Sequence, residues 1–161
     1  MINDDFDLVD LLEDDDDEFD YLDESSNKGS DPTKTFHSHV GTMFGHLLKF
    51  KHQSGRQTST WVRTISRVSE SIIKKWNELK TSDRNKITKD TDGYLDSCFR
   101  DGLSLYFNNT HNNLNISRPL DWNWDFIFNR KRIKNFLLEN VNDSIWIDDI
   151  RGAINYEFRN D

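Results

Sequence analysis

The apolar residues from position 37 onward recur with the period of an α-helix, and no segment alternates with the period of a β-strand. Between His37 and Lys51 they stand at offsets of three, four, seven and eight, which places them on one helical face: Val40, Met43, Phe44, Leu47 and Leu48. In the same segment Gly41 and Gly45 lie four residues apart. This spacing lets a neighbouring helix approach closely, at a cost in helix propensity.

The clearest amphipathic pattern follows a break at 53–55. A hydroxyl residue among Thr58, Ser59 and Thr60 is the candidate N-cap. One apolar stripe then runs for about five turns; it contains Trp61, Ile65, Val68, Ile72, Trp76 and Leu79. At about 100° per residue the opposite side is basic; it carries Arg63, Arg67 and Lys74. This pattern predicts a helix with one face in a core and the other in solvent.

Three further helices are predicted. A third begins near Ser82 or Asp83 and keeps its period to Asn108. A short helix capped by Asn123, with Asp125 in its first turn, continues through the basic stretch 130–134 toward Leu138. A last helix at about 143–158 starts at Asp143 or Ser144 and buries its apolar residues, namely Trp146, Ile150, Ile154 and Phe158. The sequence therefore predicts an all-α bundle of four to six helices.

Charge divides the chain into two parts. Residues 1–31 contain fourteen acids and one lysine, a net charge of −13, whereas the rest contains twenty bases and fifteen acids, a net charge of +5. Residues 1–24, the acidic arm, interleave acids with apolar groups and cannot bury enough area to fold alone. Residues 25–35 have the composition of a flexible linker. We expect a disordered acidic arm and linker at 1–35 and a helical bundle at 36–161.

The acidic arm has two interpretations. In the first it is a solubilising tail. In the second it is a disordered segment that folds on a partner, since acidic-hydrophobic alternation is also typical of such segments. In the second case Leu8, Leu11 and Leu12 share one face of a short helix that could enter a groove. The partner-binding positions would be Phe6, Leu8, Val9, Leu11, Leu12, Asp14, Asp15, Asp16, Asp17, Phe19 and Tyr21.

Several classes of protein are disfavoured by composition. Cys98 is the single cysteine, so there is no intrachain disulfide and no cysteine metal cluster. An acidic N-terminus is unlike a secretory or transit signal, and no apolar run approaches the length of a membrane span. No nucleophile elbow or phosphate-binding glycine loop is present. We expect a cytoplasmic protein without a catalytic residue, cofactor, metal or membrane partner; the sequence leaves the oligomeric state open.

Four of the five histidines lie between positions 37 and 52. His39 and His46 are seven residues apart and face the same side of the first helix. A metal site needs three or four ligands at fixed geometry, and no second cluster with such spacing is present. We interpret His46 as a histidine packed inside the bundle; a metal site and acid-base catalysis are the alternatives.

The turn between the first two helices has a familiar pattern. The segments 46–50, His-Leu-Leu-Lys-Phe, and 56–65, Arg-Gln-Thr-Ser-Thr-Trp-Val-Arg-Thr-Ile, resemble the bacterial "domain of unknown function 29" family, common in cyanobacteria. That family has His-Leu-Leu-Lys-Trp, a turn, then Arg-Ser-x-Ser-Trp. Its later Pro-Trp-Thr-Leu is similar to 121–124, Asp-Trp-Asn-Trp. The chain departs at Phe50 and Asp121, where the family usually has Trp and Pro.

The resemblance covers about residues 36–138 and leaves out the acidic arm and the last helix. It implies a helical bundle and no transferable activity. Within the motif the positions expected to be structural are His46, Lys49, Trp61 and Trp122.

Three functions remain open. The first is a protein-interaction module whose acidic arm binds a basic or grooved partner, or the basic face of its own body. The second is a nucleic-acid binder that uses basic residues before and along the second helix and is regulated by the arm; these are Arg56, Arg63, Arg67, Lys74 and Lys75. A net charge of −8 argues against it. The third is an enzyme that uses His46 or His39.

Overall fold

The computed structural model describes residues 31–110, 116–142 and 145–161, and within these ranges it contains seven α-helices and no strand. They are α1 (Pro32–His52), α2 (Ser59–Glu78), α3 (Thr81–Thr88), α4 (Thr91–Thr110), α5 (Trp124–Ile127), α6 (Arg130–Asn140) and α7 (Ile147–Glu157), with a 3-10 turn at Ser54–Arg56. The expected all-α bundle is confirmed, with one helix more than the largest number expected.

Helix α1 begins earlier than expected. The sequence predicts a linker over 25–35, but the helix starts at Pro32. The Asp31 carboxylate accepts hydrogen bonds from the Thr33 hydroxyl at 2.8 Å and the Thr33 N–H at 2.9 Å, and these bonds lower its pKa. Pro32 adds a φ angle that already suits the first helical position. Residues 32–35 therefore belong to the bundle.

Helix α1 is the centre of the bundle. Every residue from His39 to Phe50 is buried. It packs most extensively against α4 and next against α2. A helix that is covered on all sides has no solvent face, so its polar residues are enclosed together with its apolar ones.

Three glycines set the crossing of α1 and α4. A Cβ atom on Gly102 would lie 2.8 Å from the Gly41 carbonyl oxygen and 2.9 Å from the Gly45 backbone nitrogen. Real Cβ atoms do not approach other atoms so closely, so the two backbones touch where no side chain intervenes. The close approach predicted from Gly41 and Gly45 is confirmed, and Gly102 is its counterpart on α4.

Helix α2 follows its predicted pattern. The Thr58 hydroxyl accepts a hydrogen bond from the Trp61 N–H at 3.4 Å, so Thr58 is the N-cap. The residues of the apolar stripe from Trp61 to Ile72 are buried. This helix packs against α1 on one side and α7 on another.

The turn between α1 and α2 is closed by a buried glutamine. The side-chain amide of Gln57 donates to the Phe50 carbonyl at 2.6 Å and to the Asn140 carbonyl at 2.7 Å. Its Oε1 accepts from the Asn142 N–H at 2.9 Å. One side chain therefore joins the end of α1 to the end of α6 and satisfies backbone groups that a turn leaves open.

Two predicted helices are each divided in the structure. The single helix expected from Ser82 to Asn108 is α3 and α4, because Asp90 caps a new helix by accepting from the Gly93 N–H at 3.2 Å. The helix expected to continue through 130–134 is α5 and α6. Asn123 caps α5 as predicted, but Asn129 caps α6 separately by accepting from the Arg132 N–H at 3.3 Å.

The last helix, α7, begins at Ile147. Ile150, Ile154 and Phe158 are buried as expected. The prediction for Trp146 was wrong: it precedes the helix and is 57% exposed. The proposed caps, Asp143 and Ser144, lie outside the described residues.

Aromatic rings fill the space between the helices. Trp122 stacks on Phe126, with ring centroids 5.9 Å apart, and on Phe44 at 5.4 Å. In a neighbouring cluster Phe36 lies 5.3 Å from Trp76 and 6.0 Å from Trp124. Such pairs add to the stability that burial of their large areas provides, and they bind the short helix α5 to the rest of the bundle.

Candidate functional site

The outer surface of α2 carries an exposed basic face, which we define as Arg63, Arg67 and Lys74. All three side chains are exposed and follow one another at offsets of four and seven. Within the parts of the chain that the structure describes, none of them forms an ion pair. Arg56 is also exposed, in the 3-10 turn that precedes α2. The basic face is available to an anionic ligand.

Lys75 does not belong to this face. It is half-buried, and its Nζ lies 3.8 Å from a carboxylate oxygen of Glu78. At 100° per residue it points about 100° away from Lys74. Of the five basic residues expected to bind a ligand together, Lys75 is therefore directed elsewhere.

The basic stretch 130–134 has a structural role in part. Arg130 donates to the Ser66 carbonyl at 2.9 Å, to the Glu157 carbonyl at 3.0 Å and to an oxygen of Asp161 at 3.1 Å. Its guanidinium also lies over the ring of Phe158, 4.5 Å from the centroid. Arg130 therefore joins α2, α6 and α7, and its charge is already engaged.

Helix α1 presents a second group of polar residues, the polar stripe, which is inside the bundle. Its members recur at offsets of four and three on one side of the helix and are Thr35, His39, Thr42, His46 and Lys49. Each is at most 9% exposed, and the Lys49 side chain is enclosed at 2%. A buried ammonium group is costly to desolvate unless acceptors surround it. Of these five residues only His46 was expected inside the bundle from the pattern, since polar residues on a helix usually face solvent.

His46 is neutral in the folded protein. Burial, and to a smaller extent the positive charge of Lys49, lower its pKa to about 3. On the same stripe the His39 Nδ1–H donates to the Thr35 carbonyl at 2.8 Å. Neither ring lies at a surface where a substrate has access, which agrees with the interpretation of His46 as a packed histidine.

The two tryptophans of the motif lie in the core. Trp61 is 3% exposed at the start of α2, and Trp122 is 2% exposed between α1 and α5. Together with His46 and Lys49 they lie inside the bundle.

One histidine contact was not expected from the sequence. His37 Nε2 lies 3.0 Å from Ser97 Oγ, and its Nδ1 lies 3.2 Å from an oxygen of Asp101. These are the distances of a serine-hydrolase triad. Such a triad also needs N–H groups aimed at an oxyanion, whereas Ser97 lies within α4, where the backbone N–H groups bond along the helix. We interpret the contact as a link between α1 and α4.

A cleft of about 410 Å³ lies along α4 and the segment 116–120. Two of its carboxylates are occupied by Arg118, whose Nε lies 2.8 Å from an oxygen of Asp96 and whose guanidinium reaches Asp92 at 3.4 Å. Arg118 also donates to the Trp122 carbonyl at 3.0 Å. Arg118, Asp92 and Asp96 are therefore paired with one another and are not available to a ligand in the cleft. Leu120 at its rim is 88% exposed.

The structure also bears on a metal site, on the single cysteine and on a membrane-spanning helix. Among the described residues no group of three or more His, Cys, Asp and Glu side chains is placed to hold a metal ion. Cys98 is buried, and burial raises the pKa of its thiol. No helix in the described ranges combines the length and apolar character that a membrane crossing requires. The partner-binding positions of the acidic arm, from Phe6 to Tyr21, lie outside the described residues.

Comparison with known proteins returned no matching family model, no matching curated protein and no matching solved structure. The resemblance to the "domain of unknown function 29" family therefore stays a prediction.

Proposed function

We propose that the protein is a non-catalytic interaction module in which the acidic arm binds a basic or grooved protein partner, or the basic face of its own bundle. One observation supports it above the others. The exposed basic face on α2 has no ion pair within the described residues, while the acidic arm of the same chain holds thirteen acids and no base. Opposite charges on one chain favour association, and this attraction weakens with salt.

The polar groups of the bundle support a binding role over a catalytic one. His46 and His39 are enclosed, Cys98 is buried, and Arg118 and Arg130 are engaged in contacts that join helices. The polar groups that remain exposed are mainly charged side chains. Charged surfaces contribute chiefly to the rate and selectivity of association.

The test compares the full chain with two charge variants. One changes Asp14–Asp17 to Asn and reduces the charge of the acidic arm; the other combines Arg63→Glu, Arg67→Glu and Lys74→Glu. Fluorescence anisotropy with a labelled, lysine-rich amphipathic peptide measures binding at about 0.05 and 0.5 M salt. We expect the arm variant to bind the peptide at least tenfold more weakly, since it loses four charges.

The second variant separates the two modes of arm binding. If the basic face holds the arm, its charge reversal releases the arm and strengthens peptide binding more in the full chain than in a chain without residues 1–24; if the arm is free, the gain from the three new carboxylates is the same in both. Equal binding by the full chain and the arm variant would overturn the proposal.

Nucleic acid is the second candidate ligand, favoured by the exposure of Arg63, Arg67 and Lys74 on one stripe. The same assay with a duplex DNA probe tests it. Three phosphate contacts predict a slope of roughly −2.7 in a plot of log affinity against log salt, and the charge-reversal variant should abolish the binding. No DNA binding at 0.15 M salt would reject this candidate and leave the first in place.

A further inference from the structure

The outer side of α7 is exposed along its whole length. At 100° per residue Gly152 lies opposite Ile150 and Ile154, which are buried against the bundle. Exposed residues of the helix lie within about 60° of Gly152 on either side, and the turns before and after the helix continue the same row. We define the α7 face by six exposed residues, namely Ile145, Asp148, Asp149, Gly152, Tyr156 and Arg159.

The α7 face carries an apolar side chain near each end. In the described parts of the chain four large apolar side chains are exposed, and two of them belong to this face. Ile145 is 88% exposed and Tyr156 is 62% exposed. The eleven residues between them correspond to about 16 Å along a helix. Exposed apolar groups on one side of a helix, rimmed by charges, are typical of an interaction site.

Gly152 leaves the middle of the face without a side chain. A Cβ atom at this position would meet no atom within 4 Å, so packing inside the chain does not require glycine here. Glycine also disfavours a helix relative to alanine. Where glycines of this protein face one another, at the crossing of α1 and α4, the two backbones touch. Gly152 offers the same close approach to a helix from outside the chain.

The charges of the α7 face have opposite signs at its two ends. Asp148 and Asp149 lie in the first turn of α7, where the helix dipole favours acids. Arg159 follows the last turn, and its guanidinium lies 4.3 Å from the centroid of the Tyr156 ring. Among the described residues these three charges form no ion pair. The face is therefore complementary to a copy of itself that runs in the opposite direction.

We propose that the α7 face binds a second copy of this chain in a two-fold symmetric, antiparallel helix pair centred on Gly152. With Gly152 opposite Gly152, the Arg159 guanidinium of one copy comes beside Asp148 of the other. Tyr156 of one copy then comes beside Asp149 and Ile145 of the other. Each contact is made twice, as in every isologous interface. A parallel pair would instead place acid beside acid.

The size of the α7 face predicts a reversible dimer. The helix has 11 residues, and one such helix pair buries less than the roughly 1,200 Å² at which standard interfaces begin. We therefore expect dimers to form as the concentration rises. The inference goes beyond the proposed function, since it uses neither the acidic arm nor the basic face.

Sedimentation velocity of the full chain measures the association. The range is about 10 to 500 µM in about 0.15 M salt, which screens the repulsion between two net charges of −8. Gly152→Gln places a long neutral side chain at the centre of the face, in space that is open in the single chain. It should keep the fold and raise the dimer dissociation constant at least tenfold.

Gly55→Gln is the matched control, because Gly55 is also exposed and a Cβ atom there would meet no atom within 4 Å. It should leave the association unchanged. A full chain that stays monomeric over the whole range would overturn the inference. Association of Gly152→Gln that equals that of the full chain would overturn it as well.

Exchange of charges tests the antiparallel direction. Arg159→Asp places acid beside acid and should raise the dissociation constant at least tenfold. Asp148→Arg and Asp149→Arg, combined with Arg159→Asp, exchange the signs of both ends and should restore the association. A folded triple variant as weak as Arg159→Asp would reject the antiparallel pair. Circular dichroism checks that each variant keeps its helices; if the triple variant loses them, the two single variants decide.

A second route to association is an arm that binds the basic face of another copy. The variant with Arg63→Glu, Arg67→Glu and Lys74→Glu removes that route and leaves the α7 face intact. Association kept in this variant and lost in Gly152→Gln supports the inference. The opposite result overturns it and supports binding of the arm to the basic face. Dimers of the full chain that fail to bind the lysine-rich peptide would reject only the proposed function.

Discussion

Helices α1 and α2 have nearly the same length, 21 and 20 residues, but Lys49 of α1 and the basic face of α2 lie in opposite environments. On α2 the basic residues face outward, while Trp61 and Ile65 face the core. On α1 the core surrounds the helix, so Lys49 and His46 are enclosed with the apolar residues. The position of a helix in the bundle, rather than its composition, determines the desolvation free energy of its charged side chains. On α2 the charges stay in water, so their desolvation costs little and they are available to ligands. On α1 the enclosed charge requires an acceptor inside the protein.

Charge reversal tests this difference most strongly. Lys49→Glu places a carboxylate in a buried position and should lower the free energy of unfolding by about 3–5 kcal/mol or prevent folding. The matched variant Lys74→Glu changes an exposed residue and should shift it by about 0.5 kcal/mol or less. Urea denaturation measures both. Similar losses in the two variants would show that α1 is not enclosed.

Removal of a large ring compares the inner face of α2 with the surface of α7. Trp61→Ala removes an indole that is 3% exposed, and it should cost roughly 3–5 kcal/mol. Trp146→Ala removes one that is 57% exposed and should cost less than about 1 kcal/mol. Thermal and urea unfolding of both variants measure the losses. A larger cost at Trp146 would mean that the start of α7 is covered in solution.

A methyl group tests the backbone contact on which the position of α1 depends. Gly102→Ala forces the backbones of α1 and α4 apart and should cost about 1–3 kcal/mol. Gly152→Ala, in α7, meets no atom within 4 Å and should stabilise the protein by up to about 1 kcal/mol. Opposite signs are expected in the same denaturation assay. Stabilisation by both substitutions would contradict the close crossing.

Acid should weaken the bundle through His46. Its pKa is about 3 in the folded state against 6.5 as its ordinary value, so only the unfolded chain takes up this proton between those limits. The contribution of neutral His46 to the free energy of unfolding is complete above pH 6.5 and is lost as the pH falls. The free energy of unfolding should therefore decrease by roughly 1–2 kcal/mol from pH 7 to pH 5. Asp31 does not contribute to this loss between pH 7 and pH 5, because its pKa is lowered from 3.8 and it takes up its proton at more acidic pH.

The matched pair His46→Gln and His52→Gln assigns this effect. The first should remove most of the loss between pH 7 and pH 5, whereas the second should keep it, because His52 is exposed and less affected by burial. An unchanged pH dependence in His46→Gln would place the proton uptake elsewhere.

The same comparison explains what could be predicted from the sequence. The pattern of α2 has an apolar and a polar side, so its core face and the exposure of Arg63, Arg67 and Lys74 were predicted correctly, and Thr58 was one of the three candidate caps. The burial of Lys49 was not, because covering of a polar side depends on segments far along the chain. The early start of α1 was missed although Asp31-Pro32 signals it.

Contacts between distant polar residues were also beyond the local pattern. Gln57 bonds to a carbonyl 83 residues later, and Arg130 to one 64 residues earlier. His37 meets Ser97 across 60 residues. The sequence around a polar residue in a helix or turn does not identify a distant partner. These contacts can therefore be found only once the packing of the helices is known.

The glycine crossing also bears on the order in which the chain assembles. Gly41 and Gly102 are 61 residues apart, whereas α1 and α2 meet across a turn of a few residues. Closing the longer loop costs more entropy, so the α1–α2 pair should form before α4 arrives. In folding kinetics Gly102→Ala should then accelerate unfolding and leave the folding rate nearly unchanged, a φ-value near zero. The close contact of α1 with α4 would thus be a late step that fixes a structure already largely formed.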